Sequence, residues 1–155
     1  MKVALLQGGR SLERGVSLRS GMRVTESLLD LGHEVDVMDL GPDLVNRLEA
    51  KRPDVVFIAL HGTEGEDGTI QALLELLGIP YTGPGVAACT RCMDKSLTKY
   101  ILREHDLPTP DWVTYSEASI RDFGAASTFG AAVERVGLPL VAKPASQGSS
   151  LGVKV

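Results

Sequence analysis

Short apolar runs alternate with amphipathic stretches along the first half of the chain, and the rhythm changes at glycine or proline. "KVALL" (Lys2–Leu6) reads as a compact strand followed by Gly8 and Gly9. From about Ser17 to Leu31 the spacing is helical, with Leu18, Met22, Thr25 and Leu29 on one face. Gly32 stands where a helix-ending glycine belongs. "HEVDVMDL" alternates as a second strand, and "PDLVNRLEAK" opens a second helix with a proline. "DVVFIAL" predicts a third strand, "TIQALLELLG" a third helix closed by Gly78, and "IPYTG" a short fourth strand.

Strand–helix alternation with continuously apolar strands predicts a parallel sheet covered on both faces. Ligands bind such sheets at the loops beyond the strand ends. That edge includes "HGTEGEDGT" (residues 61–69), which follows the third strand directly. Beyond "YTGPG" the pattern changes. "MDKSLTKYILREHDL" is an amphipathic helix, Trp112–Tyr115 a strand and Ser127–Val136 another helix. "LPLVAKPASQGSSLGVKV" then predicts a strand, a Gly/Ser loop and the start of a returning strand. The expected division falls between residues 1–84 and 85–155.

At 155 residues the chain can bury one ordinary core, or one small domain and part of a second. Its 43% hydrophobic and 23% charged residues are those of a globular protein. A net charge of −4 argues against a nucleic-acid partner. No run approaches the roughly 18 apolar residues of a membrane span, and "MKVALLQGG" is too short for a secretory leader. Two cysteines exclude a disulfide framework and fit a cytoplasmic location.

Several stretches could carry chemistry. In "QGGRSLERGVS", Glu13 could hold an ammonium group, or could only favour the helix N-terminus through its dipole. His61 is delivered by a buried strand, so its position is fixed. Glu64, Glu66 and Asp67 could be solvated charges or metal ligands, and Asp67 could cap the following helix. Lys95 opens a helix, while Lys143 ends an apolar run just before Ser146, Gly148, Ser149, Ser150 and Gly152. Small residues beside a lysine suit an anion. "CTRC" lacks the further ligands a zinc site needs, which leaves ordinary packing as its reading.

Together, "GGRSLERGVSLRSG", "FIALHGTEGEDGTIQALLELLGIPYTGPGV", "MDKSLTKYIL" and "LPLVAKPASQGSSLGVKV" resemble the D-alanine–D-alanine ligases of the ATP-grasp superfamily. The resemblance spans essentially the whole chain. It implies an N-terminal parallel-sheet, Rossmann-like (pre-ATP-grasp) α/β domain followed by the start of a central ATP-grasp α+β domain. It further implies ATP-dependent joining of two D-alanines through an acyl phosphate, for peptidoglycan synthesis. Glu13 would then pair with the first D-alanine's ammonium group, lined by Val16, Ser17 and His61. Ser149 would hydrogen-bond toward Glu13. Lys95 and Lys143, with Gly148, Ser149 and Ser150, would contact the ATP phosphates. Gly15 and Gln147 stand where the family usually has acids.

No metal ligand is assigned within these residues. The family's Mg2+ ligands, an adenine-contacting segment, an arginine and a tyrosine are expected beyond Val155, so the chain alone is expected to be inactive. A homodimer is implied by the resemblance alone. The alternative is a non-catalytic α/β binding module derived from the ligase.

Overall fold

The computed structural model describes residues 1–149 and 152–155. It forms two compact units, Met1–Met93 and Asp94–Val155. The first contains strands β1 (Lys2–Gln7), β2 (Glu34–Asp39) and β3 (Val55–Ile58) and helices α1 (Arg14–Asp30), α2 (Leu44–Lys51), α3 (Thr69–Leu76) and α4 (Val86–Met93). The second contains α5 (Lys95–Glu104), α6 (Glu117–Phe123) and α7 (Ala125–Val136).

The three strands form a parallel sheet in the order β2-β1-β3. Central β1 is covered on both faces, which is why its sequence is apolar without alternation. Ala4 and Leu6 point to one side, where they pack with Met38, Val56, Leu60, Leu44 and Leu48 of α2, and Ile70 and Leu74 of α3. Gln7 points to the other side and meets α1, where a Cβ on Gly21 would collide with Gln7 Oε1. A glycine in mid-helix lets α1 lie close to the sheet.

That approach corrects the predicted face of α1. Leu18, Met22 and Leu29 are exposed, at 37%, 55% and 54%. The inward side is built from Ser17 and Gly21, both buried. Periodicity identified the helix; small residues, rather than large apolar ones, make its contact with the sheet. The expected fourth strand is reduced to a single parallel bridge between Val56 and Tyr81.

In the second unit Trp112–Tyr115 has no strand assignment, and the predicted terminal hairpin is one antiparallel bridge, Ala142 with Lys154. Trp112 instead packs as a ring. Tyr100 meets it edge-on at 5.0 Å, Arg103 lies 4.4 Å over its face and Lys99 5.2 Å from its centroid. Helices α4 and α6 were not predicted; both are short, at 8 and 7 residues.

Candidate active site

In the first unit the loops after β1 and β3 meet the start of α1. Glu13 is the N-cap residue of α1, and its backbone N–H donates to Ser11 Oγ at 3.0 Å. Its carboxylate makes no cap hydrogen bond. The residue is only 7% exposed and rests against Gly62. A Cβ at position 62 would lie 2.5 Å from Glu13 Oε2, and Gly62 has φ of 71°. Space and backbone conformation both require glycine there.

Ser11 Oγ donates to the His61 carbonyl at 2.7 Å, so one hydroxyl joins the Glu13 backbone to His61. The His61 ring sits between Ser20 Oγ, 3.1 Å from Nε2, and Glu66 Oε1, 3.7 Å from Nδ1. The other Glu66 oxygen accepts from the Gly62 N–H at 2.9 Å. Among the described ion pairs none includes Glu13.

Ser17 is fully buried. Its Oγ accepts from the Gly8 N–H at 2.8 Å and donates to the Ala59 carbonyl at 2.7 Å. It therefore joins the ends of β1 and β3 and presents no surface of its own. Val16, beside it in sequence, is exposed.

The three acids of "HGTEGEDGT" hold the loop together. Glu64 takes the Arg10 guanidinium, and Arg10 holds its carboxyl below the usual range against a smaller opposing effect of burial. Glu66 is shared between His61 and Gly62. Asp67 accepts from Glu64 N–H at 3.0 Å and Thr69 N–H at 2.9 Å, while Gly68 is the N-cap of α3. Burial pushes the Asp67 carboxyl up, but these N–H donors keep it low overall. Asp39, at the end of β2, accepts from Gly9 N–H and pairs with Arg14 at 2.6 Å, which lowers its carboxyl. Among the described residues no group of three or more His, Cys, Asp or Glu side chains could hold a metal.

Cys89 and Cys92 form no disulfide. Cys89 is buried with Sγ 3.5 Å from the Pro84 carbonyl, and burial followed by nearby Cys92 pushes its thiol up, as befits packing.

In the second unit Lys95 opens α5 and holds the Gly/Ser segment at two points. Its backbone N–H donates to the Ala145 carbonyl at 3.0 Å and its Nζ to the Gln147 carbonyl at 2.5 Å. Lys143 is exposed, next to the bridge residue Ala142. Gly148 follows, and Ser149 has a left-handed backbone, φ 54°. Ser150 lies outside the described residues. Lys99 donates to the Pro110 carbonyl at 2.7 Å and to Thr109 Oγ1 at 2.9 Å. Burial, then Lys143, then Arg103 push its ammonium pKa down.

Sequence reasoning missed Ser11, Ser20, Gly62 and Lys99. Spacing could have found two of them: Ser20 follows Ser17 by three, and Lys99 follows Lys95 by four, each on one helix face.

Comparisons with known proteins bear on the family of the chain. Family models described as the D-ala D-ala ligase N-terminus and C-terminus match residues 41–84 and 101–155. The D-alanine–D-alanine ligase of Moorella thermoacetica is 46% identical over 152 residues, covering 98% of this chain and 49% of the relative. That of Aquifex aeolicus is 45% identical over 156 residues, covering 100% of this chain and 50% of the relative. The crystal structure of the Bacillus anthracis ligase superposes with a TM-score of 0.79 at 38% identity, covering 99% of this chain and 48% of that one. The same enzyme complexed with ATP gives 0.76 at 36% identity, covering 96% and 48%. These likenesses define an α/β protein with a ligase-like fold. The chain belongs to the D-alanine–D-alanine ligase family, and it spans about half the length of the curated relatives it matches.

Proposed function

We propose that this chain carries the substrate-amine pocket and part of the ATP-phosphate site of a D-alanine–D-alanine ligase. Such an enzyme joins two D-alanines through an acyl phosphate, for peptidoglycan synthesis in the cytoplasm. The observation that carries the reading is Glu13: a buried carboxylate with no cation paired to it among the described residues. A buried charge needs a partner, and the ammonium group of an amino acid supplies one.

On this reading Glu13 fixes the amine, Val16 and His61 flank it, and Ser17 keeps the strand ends beneath it in place. Ser20 and Glu66 orient the His61 ring. In the second unit Lys95 and Lys143, with Gly148, Ser149 and Ser150, offer cations and small residues suited to phosphate. Ser149 is proposed as catalytic alongside Glu13. ATP supplies the phosphoryl group that gives the substrate carboxylate a leaving group. Among the described residues no set of three or more His, Cys, Asp or Glu side chains converges to hold Mg2+. Residues 1–84 and 85–155 are proposed as the substrate domain and the beginning of the central domain. The exposed Leu18, Met22 and Leu29 of α1 support a homodimer, which sedimentation of wild type and Met22→Lys would test.

Titration of D-alanine into the chain, followed by amide NMR, tests the central reading. Shifts are expected at residues 11–13 and 61–66 and are expected to vanish in Glu13→Gln. Equal binding by Glu13→Gln, or shifts elsewhere, would favour a binding module of other specificity.

A further inference from the structure

The surroundings of Glu13 are built from two loops about fifty residues apart. Inside, Ser11 Oγ links them through the His61 carbonyl. A second link lies at the rim. Three N–H groups of Arg10 converge on the Glu64 carboxylate: the backbone N–H on Oε2 at 3.1 Å, Nε on Oε1 at 2.7 Å, and a terminal guanidinium nitrogen on Oε1. The Arg10 side chain is 87% exposed while that of Glu64 is 18% exposed, so the carboxylate is the anchored partner.

Glu64 is unusual in its backbone. Its φ is 71°, a left-handed conformation strained for any residue with a Cβ. Glycine would sit there without strain. The glutamate is held there through its N–H, bonded to Asp67 Oδ2 at 3.0 Å, and its carbonyl, which accepts from Ile70 N–H at 3.1 Å. It thus ties the first loop to the start of α3. Two residues away, Gly62 touches the Glu13 carboxylate. A shift of the 61–66 loop therefore moves the wall against which Glu13 rests.

We infer that Arg10 and Glu64 are positioning residues: their paired side chains hold the two loops at the spacing that lets Glu13 and His61 grip a substrate ammonium group. The inference rests on the proposed role of Glu13. An ion pair whose guanidinium lies in solvent adds little to folding, so the pair's main effect is on affinity.

The variant that separates the two effects is Glu64→Gly. It removes the carboxylate and relieves the left-handed strain, so the thermal midpoint should stay near wild type. D-alanine affinity, read by NMR titration of the 155-residue chain, is expected to fall about five- to tenfold, as for a small misplacement of binding groups. Arg10→Ala should fall similarly, and the reversed pair Arg10→Glu with Glu64→Arg should recover most of the loss. A pair that mattered only for folding would weaken affinity in step with the thermal midpoint. Unchanged affinity in Glu64→Gly and Arg10→Ala, with binding abolished in Glu13→Gln, overturns this inference and leaves the Glu13 pocket standing. A folded reversed pair that recovers nothing also overturns it. Wild-type binding that survives Glu13→Gln overturns the pocket itself, and the inference with it.

Discussion

The two units are held by different forces. Every buried hydrophobic side chain among the described residues lies in Met1–Met93, most of them around β1. In Asp94–Val155 Thr128 is the single described side chain that reaches burial, and Phe123, Phe129 and Leu138 stay exposed. An apolar hollow of about 270 Å³ lies among Phe129, Leu138, Leu140 and Val155. The first unit fixes its polar groups on a packed frame. The second holds Lys95 and Lys99 by hydrogen bonds, and Lys99 also by the Trp112 ring, at or near the surface. Local stability follows packing, so the proposed amine site and the cationic loop should respond differently to the same perturbation.

The largest effect should come from the core. Leu6→Ala, at a fully buried site, should cost roughly 2–5 kcal/mol in urea unfolding. Phe129→Ala should cost under about 1 kcal/mol. Similar losses would erase the contrast between the units. Next comes Gly62→Ala, where left-handed strain alone is on the order of 1–3 kcal/mol. The new Cβ also displaces Glu13, so D-alanine binding should disappear even at temperatures where the variant remains folded by circular dichroism.

Acid should produce a smaller change. Arg14 and Arg10 hold the Asp39 and Glu64 carboxyls below their ordinary values of 3.8 and 4.5. A lowered folded-state pKa stabilises the fold above the ordinary value, and the contribution is lost as pH falls through the lowered one. The thermal midpoint of Asp39→Asn should therefore lie below wild type at neutral pH and converge with it in acid. A constant gap would show that Asp39 acts by another route. Because both side chains of the Arg14–Asp39 pair are partly exposed, added salt at neutral pH should narrow the gap as well. The smallest effect concerns the second unit. Lys95→Met should speed amide hydrogen exchange in residues 145–148 while leaving the exchange of β1 unchanged. Equal acceleration in both would mean the two regions open together.

Much of the first unit was legible in the sequence because burial on both faces writes a strand as an unbroken apolar run: "KVALL" and "DVVFIAL" are such runs. The inward side of α1 was not, because Ser17 and Gly21 carry no hydrophobic signal, and the large apolar residues pointed to the wrong side. "IPYTG" and Trp112–Tyr115 have strand-like composition, but a ladder depends on a partner and register that composition does not specify. Glu13 and His61 stood out by residue type and position. The uses of Glu64 and Glu66 did not, since pairing across 54 residues, as between Arg10 and Glu64, leaves no local trace.

The hydroxyl of Ser17 has a wider consequence. It stands where regular pairing between β1 and β3 stops, accepting a hydrogen bond from the Gly8 N–H and donating one to the Ala59 carbonyl. A single oxygen atom thus serves as a spacer that sets how wide the mouth of the sheet can be. Replacing it with alanine would leave two main-chain groups to find water, and the rim could splay. On the proposed function, discrimination between small and larger amino acids at this edge comes from a frame that cannot widen, more than from bulky side chains filling the space.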